Sequence, residues 1–178
     1  VIHTNMEADR SPFQEKRAPN KEFKIFLDKN FELIKFTKTI EDMLHEQGEG
    51  SELFVISANS NQLKDKIHYV LKEQGVNIQI NNIYMNVNDK FKKCKELKIV
   101  KYFDDSWGVI KRIHSESKKE NMPHLKELFY AVPDFYENDT LNKGLHFPID
   151  LKKDLKQQKD TIRKKLKKRF KKQSAFVA

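Results

Sequence analysis

Two adjacent carboxylates, Asp104 and Asp105, follow directly on an apolar run, Ile99-Val100 with Tyr102-Phe103, and lead through Ser106 into a helix-like segment from Trp107 to Ser117. Acids in that position sit where open α/β sheets gather their ligands, at the carboxyl ends of strands. Two of them together suit a hard cation such as Mg²⁺, which takes oxygen donors. The same residues also read as an Asp-Asp-Ser turn that caps the next helix, and on this stretch alone neither reading displaces the other. A second strand end, Leu53-Phe54-Val55-Ile56-Ser57, lies upstream. Its exit loop, Ala58-Asn59-Ser60-Asn61, is rich in hydroxyl and amide groups, and Asn59 is the candidate there for a substrate contact.

Both strand ends need elements to hold them. Val1 to Asn5 reads as a strand end or loop start. Met6 to Lys24 reads as an exposed connection broken by Pro12 and Pro19, and Phe23 to Phe36 is apolar but ambiguous between strand and helix. Thr37 to Gln47 has Ile40, Met43 and Leu44 at helical spacing and is closed by Gly48 and Gly50. Glu52 to Ser57 has the compact apolar character of a strand buried on both faces. Gln62 to Gln74 is an amphipathic helix with Leu63, Ile67, Val70 and Leu71 on one side and Gly75 beyond its end. Val76 to Ile80 alternates like a strand, and Asn82 to Val87 is another short one. Lys90 to Leu97 is helical, Ile99 to Phe103 is a strand, Trp107 to Glu120 is helical, and Leu125 to Val132 is the last apolar run before Pro133. Strands alternating with helices predict an α/β fold: a Rossmann-like parallel sheet with right-handed crossovers, flanked by helices.

Composition separates a domain from a tail. The chain has 178 residues, 34% of them charged, and a formal net charge of +9. From Lys152 to Lys172 a dozen Lys and Arg face only Asp154 and Asp160, so the rest of the chain is close to neutral. The expected division is a domain over 1–148 and a basic helical or disordered tail over 149–178, with Gly144 to Pro148 as the joint. One cysteine, Cys94, excludes an internal disulfide and fits a reducing compartment. No run approaches the ~18 apolar residues of a membrane span and no hydrophobic signal core opens the chain, so a soluble intracellular or virion protein is expected. The six His show no metal spacing, which argues against zinc. Cys94 reads as a small buried residue and Trp107 as a packing residue beside the acids.

The order of these pieces resembles the haloacid dehalogenase-like (HAD) phosphatases. Their pattern has a first strand ending in Asp-x-Asp-x-Thr, a second ending in Ser or Thr, a Lys at the start of a later helix, and a last strand ending in an acidic pair. Ser57 is similar to the second element, Lys90 to the third with Lys92 and Lys93 as close competitors, and Asp104-Asp105 to the fourth. The resemblance covers roughly Val1 to Pro133. It implies an aspartyl-phosphate mechanism in which one hard displacement becomes two easier ones. Ser57 would donate to a phosphate oxygen, Lys90 would supply positive charge, and Asp104 and Asp105 would hold Mg²⁺. The Asp-x-Asp-x-Thr element is absent; Val1-Ile2-His3-Thr4 resembles the residues that follow it, so the chain is expected to start just downstream of its nucleophile. Asp28 is the one rival nucleophile, and it lacks the second Asp and the Thr. The wording of the acidic pair and the Lys-, Asn- and Ile-rich composition are most similar to the viral branch that includes the baculovirus 38K protein. That likeness implies a phosphoprotein substrate, a role in nucleocapsid assembly, and a location in the host nucleus or the virion.

The tail raises a separate expectation. Ile149 to Phe170 can be drawn as a helix with Leu151, Leu155, Ile162, Leu166 and Phe170 loosely on one side and Lys and Arg elsewhere. Lys164, Lys165, Lys167, Lys168 and Arg169 are the candidates for contact with nucleic acid, an anionic membrane surface or an acidic partner. A solvated, partly disordered tail is the plain alternative. Three function classes follow: a Mg²⁺-dependent phosphomonoesterase, a catalytically inactive relative that binds through its tail, and an unrelated receiver-like domain that also places acids at strand ends.

Overall fold

The computed structural model describes the backbone over 37–132 and 145–175 and side chains over 39–131 and 145–168. The segments expected from Val1 to Phe36, Asp28 among them, lie outside the described residues. The fold is mixed α/β, with small parallel and mixed sheets flanked by helices. It divides into two compact units that meet in sequence between Lys90 and Phe91.

The first unit opens with helix α1 (Thr37–Gly48), followed by strand β1 (Val55–Ile56). A short 3₁₀ turn, Asn61–Leu63, then runs into helix α2 (Lys64–Glu73), with Ser60 accepting from the Gln62 N–H as N-cap. Leu63, Ile67 and Leu71 recur every four residues and are all buried, joined by Val76, Ile78, Ile83 and Met85, with Ile40, Met43, Leu53 and Val55 packed around them. The predicted apolar face of α2 is therefore the core of this unit. Gly75 adopts φ +84° just past the helix, the left-handed closing position that only glycine takes without strain.

Two strand expectations change here. Glu52 to Ser57 is a ladder only at Val55–Ile56, and both residues are half-buried, because β1 pairs with a single described neighbour, β2 (Ile83–Tyr84), in parallel. Val76 to Ile80 forms no strand. Its alternation is expressed as burial of Val76 and Ile78 with Asn77 turned outward, after which Ile80–Asn82 tightens into a 3₁₀ turn.

Helix α3 (Lys90–Glu96) spans the junction of the two units. Its end is set by Lys98 at φ +53° and by the Ile99 N–H donating to the Cys94 carbonyl. Ile99 is thus used in closing the helix, and strand β3 (Lys101–Asp104) starts two residues later than its apolar run and includes the first acid. In the second unit β3 is followed by helix α4 (Trp107–Lys118) and strand β4 (Glu127–Val132). β3 and β4 are parallel, with Asp104 opposite Tyr130. Fully buried Ile110, Ile113 and Leu128 join Tyr102, Ala131, Ile149 and the thiol of Cys94 as the core.

The region expected to be a joint is a strand. β5 (Leu145–Ile149) pairs antiparallel with β4, which makes this sheet mixed and not purely parallel. Pro148 fits there because β5 pairs only with β4 among the described residues, so the side that lacks an N–H has no ladder to complete. Helix α5 (Leu155–Ala175) then carries the basic segment. It is helical, buries Ile162 and packs on β5.

Candidate functional site at two strand ends

Ser57 directly follows β1. Its N–H donates to the Tyr84 carbonyl (2.9 Å) and its carbonyl accepts from Val87 (2.9 Å), so the backbone is held on the parallel partner beyond the last ladder residue. The Ser57 Oγ accepts from the Asn59 N–H at 3.1 Å, closing a local hydroxyl turn. Accepting one bond leaves the hydroxyl its own hydrogen to donate. Asn59 is exposed, and its carbonyl accepts from Asn86 at 2.7 Å. The structure therefore brings Ser57 and Asn59 together in one turn. Lys90 opens α3 and is half-buried; of its competitors, Lys93 pairs with Glu96 at 2.9 Å and Lys92 is exposed.

The acidic pair lies in the other unit, and its two members have different surroundings. Strand alternation turns Tyr102 and Asp104 to the same side, and both are buried, Asp104 to 4% exposure. The Tyr102 hydroxyl donates to Asp104 Oδ2 at 2.6 Å, and the Ser106 N–H donates to Oδ1 at 2.8 Å. A buried carboxylate is tolerable only with such donors. Asp104 thus closes an Asx turn onto Ser106, the N-cap residue of α4, which makes no side-chain cap bond of its own; the capping role expected from the sequence reduces to a turn that ties β3 to the entry of α4. Burial, and then the charge of Asp104, push the Tyr102 phenol far above its ordinary value, so it stays a donor.

Asp105 follows the last residue of β3 and is half-buried. Tyr130 is raised above its ordinary value by burial first and by the Asp105 charge second. Trp107 meets Tyr130 edge-on at 5.0 Å and 79°. The Lys159 ammonium stands 5.3 Å from the Trp107 ring, within cation–π range. Trp107, Tyr130 and Lys159 therefore form one polar and aromatic cluster at the carboxyl ends of β3 and β4, next in sequence to Asp105. Tyr130 and Lys159 were not among the sequence candidates. Tyr130 was hidden in a strand read only as apolar, and Lys159 in a tail read apart from the domain.

Of the tail candidates, Lys164, Lys165, Lys167 and Lys168 are exposed on α5. Arg169 lies in the same helix, outside the residues whose side chains are described. Among the described residues no helix is long and apolar enough to cross a membrane. Compared with known proteins, the chain matches no family model, no curated protein and no solved structure.

Proposed function

We propose that this chain belongs to a Mg²⁺-dependent phosphomonoesterase of the HAD type that acts on a phosphoprotein. The observation that supports it most is the contrast within Asp104-Asp105: the first carboxylate is buried and fixed by Tyr102 and Ser106, and the second is a half-buried acid at the strand end whose charge reaches Tyr130. Mg²⁺ is commonly held by one or two carboxylates, with water and substrate phosphate completing the shell. Asp105 fits as a direct ligand. Asp104, with both oxygens already accepting, fits as the group behind it that fixes the turn. When bound, the ion would offset charge on the phosphoryl oxygens. Ser57 as a donor to a phosphate oxygen, Lys90 as a positive charge and Asn59 as a substrate contact are carried over from the sequence reading alone. A viral origin and a role in nucleocapsid assembly belong to the same proposal and rest on the sequence resemblance alone.

The reading requires an Asp-x-Asp-x-Thr nucleophile strand, and these 178 residues contain no such motif. The test is to read the gene upstream of the codon for Val1. An apolar strand ending in Asp-x-Asp-x-Thr is expected. A start codon or an acid-free strand there would reject the enzyme reading in favour of a catalytically inactive relative.

A further inference from the structure

Helix α5 carries ten Lys and Arg and one acid, Asp160. Its mounting fixes which of these face outward. Asp154 accepts from the Gln157 N–H at 3.1 Å as a helix N-cap. Gln158 clasps the preceding turn, its Oε1 accepting from the Asp150 N–H at 2.7 Å and its Nε2 donating to the Asp150 carbonyl at 2.9 Å. Buried His114 meets the carbonyls of Asp150 and Lys153 through Nε2 at 3.2 and 3.0 Å, an arrangement that requires the proton on that nitrogen. Ile162 is buried, and Leu155 and Leu166, on the same side of the helix, are half-buried. Exposed Lys164, Lys167 and Lys168 fall on the opposite side, with exposed Lys156, Arg163 and Lys165 on its flanks. From Lys156 to Lys168 this face runs about 18 Å at the α-helical rise.

We propose that this face of α5 is a binding surface for the phosphate backbone of duplex nucleic acid. The inference is independent of the phosphatase reading. Three kinds of polyanion would attract such a face, and the residues discriminate among them. A membrane-surface helix must sink an apolar side into the acyl boundary, but the apolar side of α5 is turned onto its own protein, where Ile162 is 7% exposed. A protein partner is held chiefly by aromatic or apolar anchors at the centre of the contact, and none stands among the outward residues of the face. Duplex backbone needs neither. It presents about one charge per 1.7 Å of axis, and binding to it can rest on Lys and Arg alone through release of counterions. Contacts of this kind position a protein without reading sequence.

The test uses the whole chain and a random-sequence duplex of about 20 bp, titrated by fluorescence anisotropy across a salt series. Binding is expected to weaken with salt at a log–log slope of about −3 to −5, as several phosphate contacts require. Replacing Lys164, Lys167 and Lys168 together by Glu should weaken binding at least ~10-fold at low salt and shrink the slope by about 2.7, three contacts' worth. Asp160→Lys, which adds a cation to the same face, should strengthen binding several-fold, a gain that no loss of folding produces. The α4 pair Lys111→Glu and Lys118→Glu, exposed elsewhere on the same unit, should leave affinity within ~2-fold. The proposal is overturned if the triple variant binds like the parent, if Asp160→Lys gains nothing, or if polyglutamate or phosphatidylserine vesicles bind as tightly as the duplex.

Discussion

Asp104 and Asp105 are chemically identical and adjacent, yet the first is 4% exposed with both oxygens accepting and the second is half-buried. The difference comes from strand alternation. β3 puts residues 102 and 104 on one side, so the phenol of Tyr102 reaches the carboxylate two residues on. A hydrogen bond to a buried charge is worth about 1.5–3 kcal/mol. Tyr102→Phe should therefore destabilise the second unit by about that amount in urea unfolding followed by its single tryptophan, Trp107; a change under ~0.5 kcal/mol would contradict the pairing. The same experiment has a pH arm. The Tyr102 phenol is raised above its ordinary value of 10.0 by burial first and then by Asp104. Its contribution is thus fully present below pH 10, the ordinary value that the unfolded chain retains, and is lost as pH rises beyond it, because the unfolded chain releases the proton while the folded one holds it. Stability should fall above that point by up to ~1.4 kcal/mol per pH unit for this group, and Tyr102→Phe should remove that part of the slope. Sequence alone could pair Tyr102 with Asp104 by alternation. It could not separate the roles of the two acids, because that depends on which of them the strand still includes.

At the scale of elements, α2 was legible because Leu63, Ile67 and Leu71 repeat at the helical period and Gly75 marks the stop. α1, α3 and α4 were also close to their expected bounds, since each has a local stop or start signal. The strands were less legible. Val76 and Ile78 alternate in burial without a ladder, so alternation reported which side is wet and not whether a neighbour is paired. β5 falls in the stretch expected to be a joint, and its Pro148 suits a strand only at an edge, which is a tertiary fact. The anchoring of α5 was hidden for a similar reason, since His114 and Gln158 meet the turn at Asp150 only after the sheet forms. The start of that helix was still encoded locally in Asp154. Asp154→Ala should lower stability by ~1 kcal/mol and reduce helical signal from α5; unchanged far-ultraviolet dichroism and stability would show that the cap is dispensable.

For the whole molecule, the candidate residues divide between the two units: Ser57 and Asn59 in a turn after β1, Asp104 and Asp105 at the end of β3, and Lys90 at the junction. α5 adds Lys159 to the rim of the acidic turn and carries its exposed cations onward from there. The proposed chemistry can be tested through Asp105, the half-buried acid of the pair. Phosphate release from a phosphoserine peptide should be followed in Mg²⁺, using the gene product with whatever residues are encoded before Val1, and compared with Asp105→Asn. The account predicts Mg²⁺-dependent release that falls at least ~10-fold in Asp105→Asn, with Trp107-monitored stability kept within ~0.5 kcal/mol. Absence of Mg²⁺-dependent release from the parent, or equal release from the variant, would contradict it.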